Sequence, residues 1–152
     1  MILTGTFTFT GPRKAVWDLL HDPDVLAKAL PGAKTLTQTA PGQYDGVMKV
    51  SVGPVTAAEF TVRVTLADET APAHFAMRIH GKGGVGFVRG SATIDLADDP
   101  GGTAMTYSSD VLVGGRIAAV GQRLIESVSR MMMRQALDAL NGELRRRLER
   151  QP

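Results

Sequence analysis

The sequence predicts an α+β fold: a curved, seven-stranded antiparallel sheet wrapped around one long C-terminal helix, with two short helices after the first strand. Three observations predict it. Apolar and polar residues alternate with a period of two over most of the stretch from Leu3 to Val113, the pattern of strands with one dry face. A helical spacing of three and four replaces it after Gly11-Pro12 and again after Gly114-Gly115, where it runs for more than thirty residues. Short Gly- and Pro-containing turns separate the strands, so sequential neighbours join as hairpins.

Leu3, Gly5, Phe7 and Phe9 alternate with threonines and make the first strand. Gly11-Pro12 opens a short helix crowded with Ala15, Val16, Trp17, Leu19 and Leu20. Asp22-Pro23 repeats the start signal, Asp22 as cap, for a helix through Val25, Leu26 and Leu30 that Pro31-Gly32 ends. From Ala33 to Val113 come six more strands, with turns at Pro41-Gly42, Gly53-Pro54, Glu69 to Pro72, Gly81 to Gly86 and Asp98 to Gly102. One parity is apolar and includes Met48, Val50, Val52, Phe60, Val62, Met77, Ile79, Ile94, Met105, Tyr107 and Val111. The other carries Lys49, Glu59, Arg63, Arg78 and Asp95.

The final helix has two apolar stripes. Ile117, Val120, Leu124, Val128, Met131 and Met132 form the first, assigned to the sheet. Gly121 lies on it, and Arg123, Glu126, Arg130 and Arg134 turn toward water. From Met133 onward a second stripe, Met133, Leu137, Leu140, Leu144 and Leu148, points elsewhere. Either the helix outruns its sheet, bends at Gly142 or packs on a loop, or these last turns meet a partner: a second copy in a homodimer, another protein, or a membrane edge.

A chain of 152 residues suffices for one domain, residues 1–152, burying about 70% of its unfolded surface. A net charge of +2 argues against a nucleic-acid partner. The basic cluster Arg145, Arg146, Arg147 and Arg150 complements the helix dipole or meets an anionic surface. With no cysteine there is no disulfide, thiolate metal site or cysteine nucleophile. No stretch reaches the ~20 apolar residues of a membrane span and no signal peptide precedes the first strand, so a cytoplasmic protein is expected.

Chemistry-bearing constellations are sparse. Met48, Met77, Met105, Met131 and Met132 fall on inward positions, and methionine adapts to guests of more than one shape. The small residues Gly46, Gly90, Ala92 and Ser109 leave room beside them, so an apolar pocket is expected. Tyr107 and Ser109 are the inward hydroxyls, suited to hold a carbonyl at the end of an apolar ligand. Gly81-Lys82-Gly83-Gly84-Val85-Gly86 has the spacing of a dinucleotide loop, but a strand follows it, so it reads as a hairpin at a pocket mouth. His74 and His80 lie about 20 Å apart along one strand, too far to share a metal. His21 has no catalytic partner in motif reach, and Asp22, Asp24, Asp98 and Asp99 read as cap and turn residues.

The element order β-α-α-β-β-β-β-β-β-α is that of a helix-grip fold. Val16-Trp17, Asp22-Pro23, Leu26, Leu30-Pro31-Gly32, Val52-Gly53-Pro54, the glycines from Gly81 to Gly86, and Val113-Gly114-Gly115-Arg116 with Gly121 together resemble the carbon monoxide dehydrogenase G-subunit family. That family belongs to the START-related, polyketide-cyclase-like (SRPBCC) superfamily. The resemblance covers Leu3 to about Leu140. It implies an apolar cavity, no catalysis of its own, and association with a molybdenum-containing dehydrogenase, its recruitment to the inner membrane face, and its quinone acceptor. Longer members continue to an apolar anchor, and autonomous anchoring is not expected of this chain, which reads to Pro152 without one. Many members carry an aromatic pair where this chain has Gln135-Ala136-Leu137.

The leading expectation is a non-enzymatic carrier with no covalent cofactor, its ligand a quinone or similar lipid. Met48, Val50, Phe60, Val62, Met77, Ile79, Tyr107 and Ser109 would line the site from the sheet, and Leu124, Val128, Met131 and Met132 from the helix. A second reading is a cyclase- or hydratase-like enzyme using Tyr107, Ser109 and His21. A third is a protein adaptor working through the second stripe of the last helix.

Overall fold

The computed structural model describes residues 1–151, and Pro152, the last residue of the expected domain, lies outside them. Strand β1 (Ile2–Phe9) is followed by helices α1 (Arg13–Leu20) and α2 (Pro23–Ala29). Strands β2 (Ala33–Ala40), β3 (Gln43–Val52), β4 (Val55–Thr70), β5 (His74–Gly83), β6 (Gly86–Asp99) and β7 (Gly102–Gly114) come next. A 3-10 turn (Arg116–Val120) then leads into helix α3 (Gln122–Glu149). This is the helix-grip order.

All strands join one antiparallel sheet, β1-β7-β6-β5-β4-β3-β2. β2 to β7 form the expected meander, while β1 pairs with β7, setting Phe7 opposite Met105 and Leu3 opposite Ser109. The α1–α2 arm therefore carries the chain from one edge of the sheet to the other. Residues directly opposite share a face, so the register Phe75↔Ile94↔Tyr107 and Val62↔Gly81↔Val88 sets one continuous inner face. Asp22 caps α2 as expected, its carboxylate accepting from the backbone N–H groups of Asp24 (3.1 Å) and Val25 (3.4 Å).

The long helix starts later than its apolar spacing suggests. Gly121 has φ +101°, a backbone outside the helical region, so residues 116–120 form a separate 3-10 turn and α3 has 28 residues. Its first stripe meets the sheet as expected, through Ile117, Leu124 and Val128, and its second stripe is buried as well. The buried residues of α3 are Ala136, Leu137, Leu140 and Leu144, which belong to the second stripe and its flank. They meet Val16 and Leu19 of α1, Val25 and Ala29 of α2, and Phe9, Phe75, Ile94, Leu96 and Met105 of the sheet in one core.

Of the two readings of the second stripe, the structure shows contact within the chain, with the short helices α1 and α2 covering it. Leu137, Leu140 and Leu144 are therefore buried within this chain, at 6%, 3% and 1% exposed. The basic end of α3 is likewise engaged within the chain. Arg147 donates to Asp22 at 2.7 Å, and Arg146 and Arg150 donate to Glu143 at 3.0 and 3.3 Å. Among the described residues no helix is long and apolar enough to cross a membrane.

Candidate functional site

At the other end of the sheet the first turns of α3 and the 3-10 turn cover a second apolar group. Val52, Ala58, Phe60 and Ile117 are its buried members, with Val50, Val62, Val88, Val113, Ile125 and Val128 packed around them. Between sheet and helix lies a cavity of about 190 Å³. β3 contributes Met48, Val50 and Val52; β4 Phe60 and Val62; β5 Ile79 and Gly81; β6 Val88; and β7 Val111 and Val113. Ile117, Ile125, Val128, Ser129 and Met132 close it from the helical side.

Strand pairing explains the set. Met48 stands opposite Phe60, Gly81 stands between Val62 and Val88, and Val88 stands opposite Val113. Gly81 contributes no side chain to that row, and the valines around it are short. The roof is tied down at two points. Ile117 N–H donates to Val85 carbonyl oxygen at 2.8 Å, and Arg116 donates to Gly84 carbonyl oxygen at 2.8 Å, which fastens the β5–β6 hairpin beneath the 3-10 turn. Leu124 lies over the β3–β4 turn, where a methyl group on Gly53 (φ +56°) would come within 2.6 Å of its Cδ2.

The lining holds no Asp, Glu, His, Lys, Arg or Tyr. Its one hydroxyl, Ser129 Oγ, donates to the Ile125 carbonyl at 2.7 Å within its own helix. No acid, base or nucleophile therefore faces the space, and what the cavity offers is burial of apolar surface, worth about 25 cal/mol per Å². Among the described residues no group of three or more His, Cys, Asp or Glu side chains could hold a metal.

Of the residues expected at the site, Met48, Val50, Phe60, Val62, Ile79, Val128 and Met132 line this cavity. Five do not. Met77 and Tyr107 pack against the closed core at the opposite end. Ser109 donates to the Leu3 carbonyl at 3.1 Å, satisfied by the neighbouring strand. Leu124 covers Gly53 instead of the cavity, and Met131 is 53% exposed, rotated to the outer side of α3. Val52, Gly81, Val88, Val111, Val113, Ile117, Ile125 and Ser129 complete the lining. Inward parity marks Val52 and Val111, but Val88 and Gly81 sit in the glycine-rich hairpin, where periodicity is faint.

His21 lies elsewhere. Its Nδ1 is 2.7 Å from the Trp17 carbonyl and its Nε2 2.7 Å from Glu69 Oε1, with the ring stacked on Trp17 at 4.4 Å. It ties α1 to the end of β4. Tyr107, Ser109 and His21, the groups an enzymatic reading requires, do not converge on the cavity.

The family model for the G subunit of carbon monoxide dehydrogenase (CoxG) matches residues 5–145. A conserved protein from Geobacillus kaustophilus has a similar structure, with a TM-score of 0.90 and 26% identity over 96% of this chain and 96% of its own. The Zhui aromatase/cyclase from Streptomyces sp. R1128 shares the fold at a TM-score of 0.71 and 18% identity, covering 97% of this chain and 95% of the enzyme. No curated protein matches the chain.

Proposed function

The chain belongs to the CoxG family, that of the carbon monoxide dehydrogenase G subunit, and from that premise we propose that it is a non-enzymatic carrier of an apolar ligand, a quinone or similar lipid. It works in the cytoplasm at the inner membrane face as an accessory of a molybdenum-containing dehydrogenase. The observation that supports this reading is the cavity under the first turns of α3, whose only hydroxyl is already spent inside its own helix. A site without a free polar group selects for ring or chain surface and against polar solutes. Its volume of about 190 Å³ is below the roughly 300–1,000 Å³ of pockets that enclose drug-sized ligands. One ring or a short length of chain enters, and the rest of the molecule leaves through the opening.

A cyclase- or hydratase-like activity would need polar groups inside the cavity, and the side chains expected to supply them face other neighbours. Calorimetric titration with a short-chain quinone tests the carrier reading. Binding is expected in the parent protein and is expected to disappear in Val62→Trp and Met132→Trp with the unfolding midpoint retained. Unchanged binding in both folded variants would overturn this site.

A further inference from the structure

The sheet face turned away from α3 carries cations that the cavity does not use. Side chains of β5 alternate, so Arg78, His80 and Lys82 share this outer face at intervals of about 7 Å. The register sets Arg63 of β4 and Arg89 of β6 on either side of His80, where directly opposite side chains are about 5 Å apart. All five are exposed. Arg63 is held by Asp45 at 2.8 and 3.0 Å. Among the described residues Arg78, His80, Lys82 and Arg89 belong to no ion pair. Of the other acids here, Asp95 is held by His74 at 2.7 Å and Asp110 by the Met1 amino group at 3.7 Å, while Asp68 lines a depression that reaches Ile2.

Arg78, Lys82 and Arg89 sit close together across β5 and β6 with no acidic residue among those described paired to any of them, whereas a surface that needed only solubility would intersperse the two signs. Apolar side chains stand beside the cations. Leu112, directly opposite Arg89, is 54% exposed, and Ile2 is 67% exposed on the same face. The surface is also hollowed. A depression of about 260 Å³ between Arg63, Arg78 and Arg89 shares Arg78 with one of about 390 Å³ that reaches Ile2. Arg89 itself is laid against the Phe87 ring, 5.1 Å from its centroid.

We propose that this outer face docks a protein partner through an acidic segment, with carboxylates on Arg78, Lys82 and Arg89 and an apolar side chain against Leu112. Arginine beside an exposed apolar anchor is the composition of interface hot spots. The paired depressions fit protruding side chains and would stand unfilled against a flat bilayer. The cavity lies on the opposite face of the sheet, so the two surfaces can be occupied together.

The test is fluorescence anisotropy of a short labelled polyglutamate peptide with one central leucine, at low and physiological ionic strength. Salt-dependent binding to the parent protein is expected, weakened about tenfold or more in Arg78→Ala with Arg89→Ala. Lys28→Ala with Arg134→Ala removes the same charge away from this face and is expected to retain binding. Leu112→Ser is expected to weaken it several-fold. Thermal unfolding of the Arg78, Arg89 double variant should stay close to the parent's, because both side chains are exposed and in no ion pair among the described residues. Equal loss in both double variants, no binding by the parent, or dependence on Arg78 and Arg89 only with phosphatidylglycerol vesicles would each overturn the proposal.

Discussion

The two ends of the sheet are covered by the same helix and end up in different states. Under α1 and α2, the inner face presents Phe9, Phe75, Leu96 and Met105, and Leu137, Leu140 and Leu144 of α3 meet them with every member buried. Toward the β5–β6 hairpin the inner face presents mostly valines and Gly81 beside Met48, Phe60 and Ile79, and Ile125, Val128 and Met132 of α3 are only half-buried above them. The difference lies in the third layer and in side-chain volume. Where a pair of short helices wedges against α3 the space closes; where no third layer does, and valines and Gly81 fill most of the wall beside Phe60, a cavity remains.

Core substitution breaks this comparison most sharply. Leu144 is 1% exposed in the closed end, and Leu144→Ala is expected to cost about 2–5 kcal/mol in denaturant unfolding. Val128→Ala, on the cavity wall, enlarges a space that already exists and is expected to cost less than about 1.5 kcal/mol. Equal losses would mean that the two ends are packed alike.

Asp22→Ala removes the α2 cap and the partner of Arg147, with an expected loss of about 0.5–2 kcal/mol. The hydrogen bond from Arg147 holds the Asp22 carboxyl below its ordinary value of 3.8. A depressed folded-state value means that this contribution is fully present above 3.8 and is lost as pH falls through the folded value. Stability measured from neutral pH into that acid range should therefore fall less steeply in Asp22→Ala than in the parent protein. Gly121→Ala places a side chain at φ +101° with open space around it. The expected cost is about 1 kcal/mol, and it falls on the cavity end, as a faster amide exchange in the first turn of α3.

The fold was legible because both periodicities are long and the turns between strands carry Gly and Pro. The start of α3 was not, because apolar spacing continues through Ile117 and Val120 while the break comes from the dihedral angle of Gly121 alone. The fate of the second stripe was hidden for another reason: Leu137, Leu140 and Leu144 are buried by α1 and α2, a contact between distant segments that no local pattern records.

The site was half legible. Met77 and Ile79 share parity on β5, two positions apart, yet Met77 joins the closed core and Ile79 lines the cavity. Alternation tells which face a residue takes, and only the register tells where along that face it falls. Met131 and Met132 differ by about 100° around the helix, enough to leave one exposed and put the other in the wall.

The most direct measurement of the carrier account is mass spectrometry of an organic-solvent extract from gently purified protein, set beside the same extract from folded Val62→Trp, Met132→Trp double variant. A quinone or lipid present near one per chain in the parent and absent from the variant is the result expected. An empty extract from the folded parent, or equal loading of parent and variant, would contradict it.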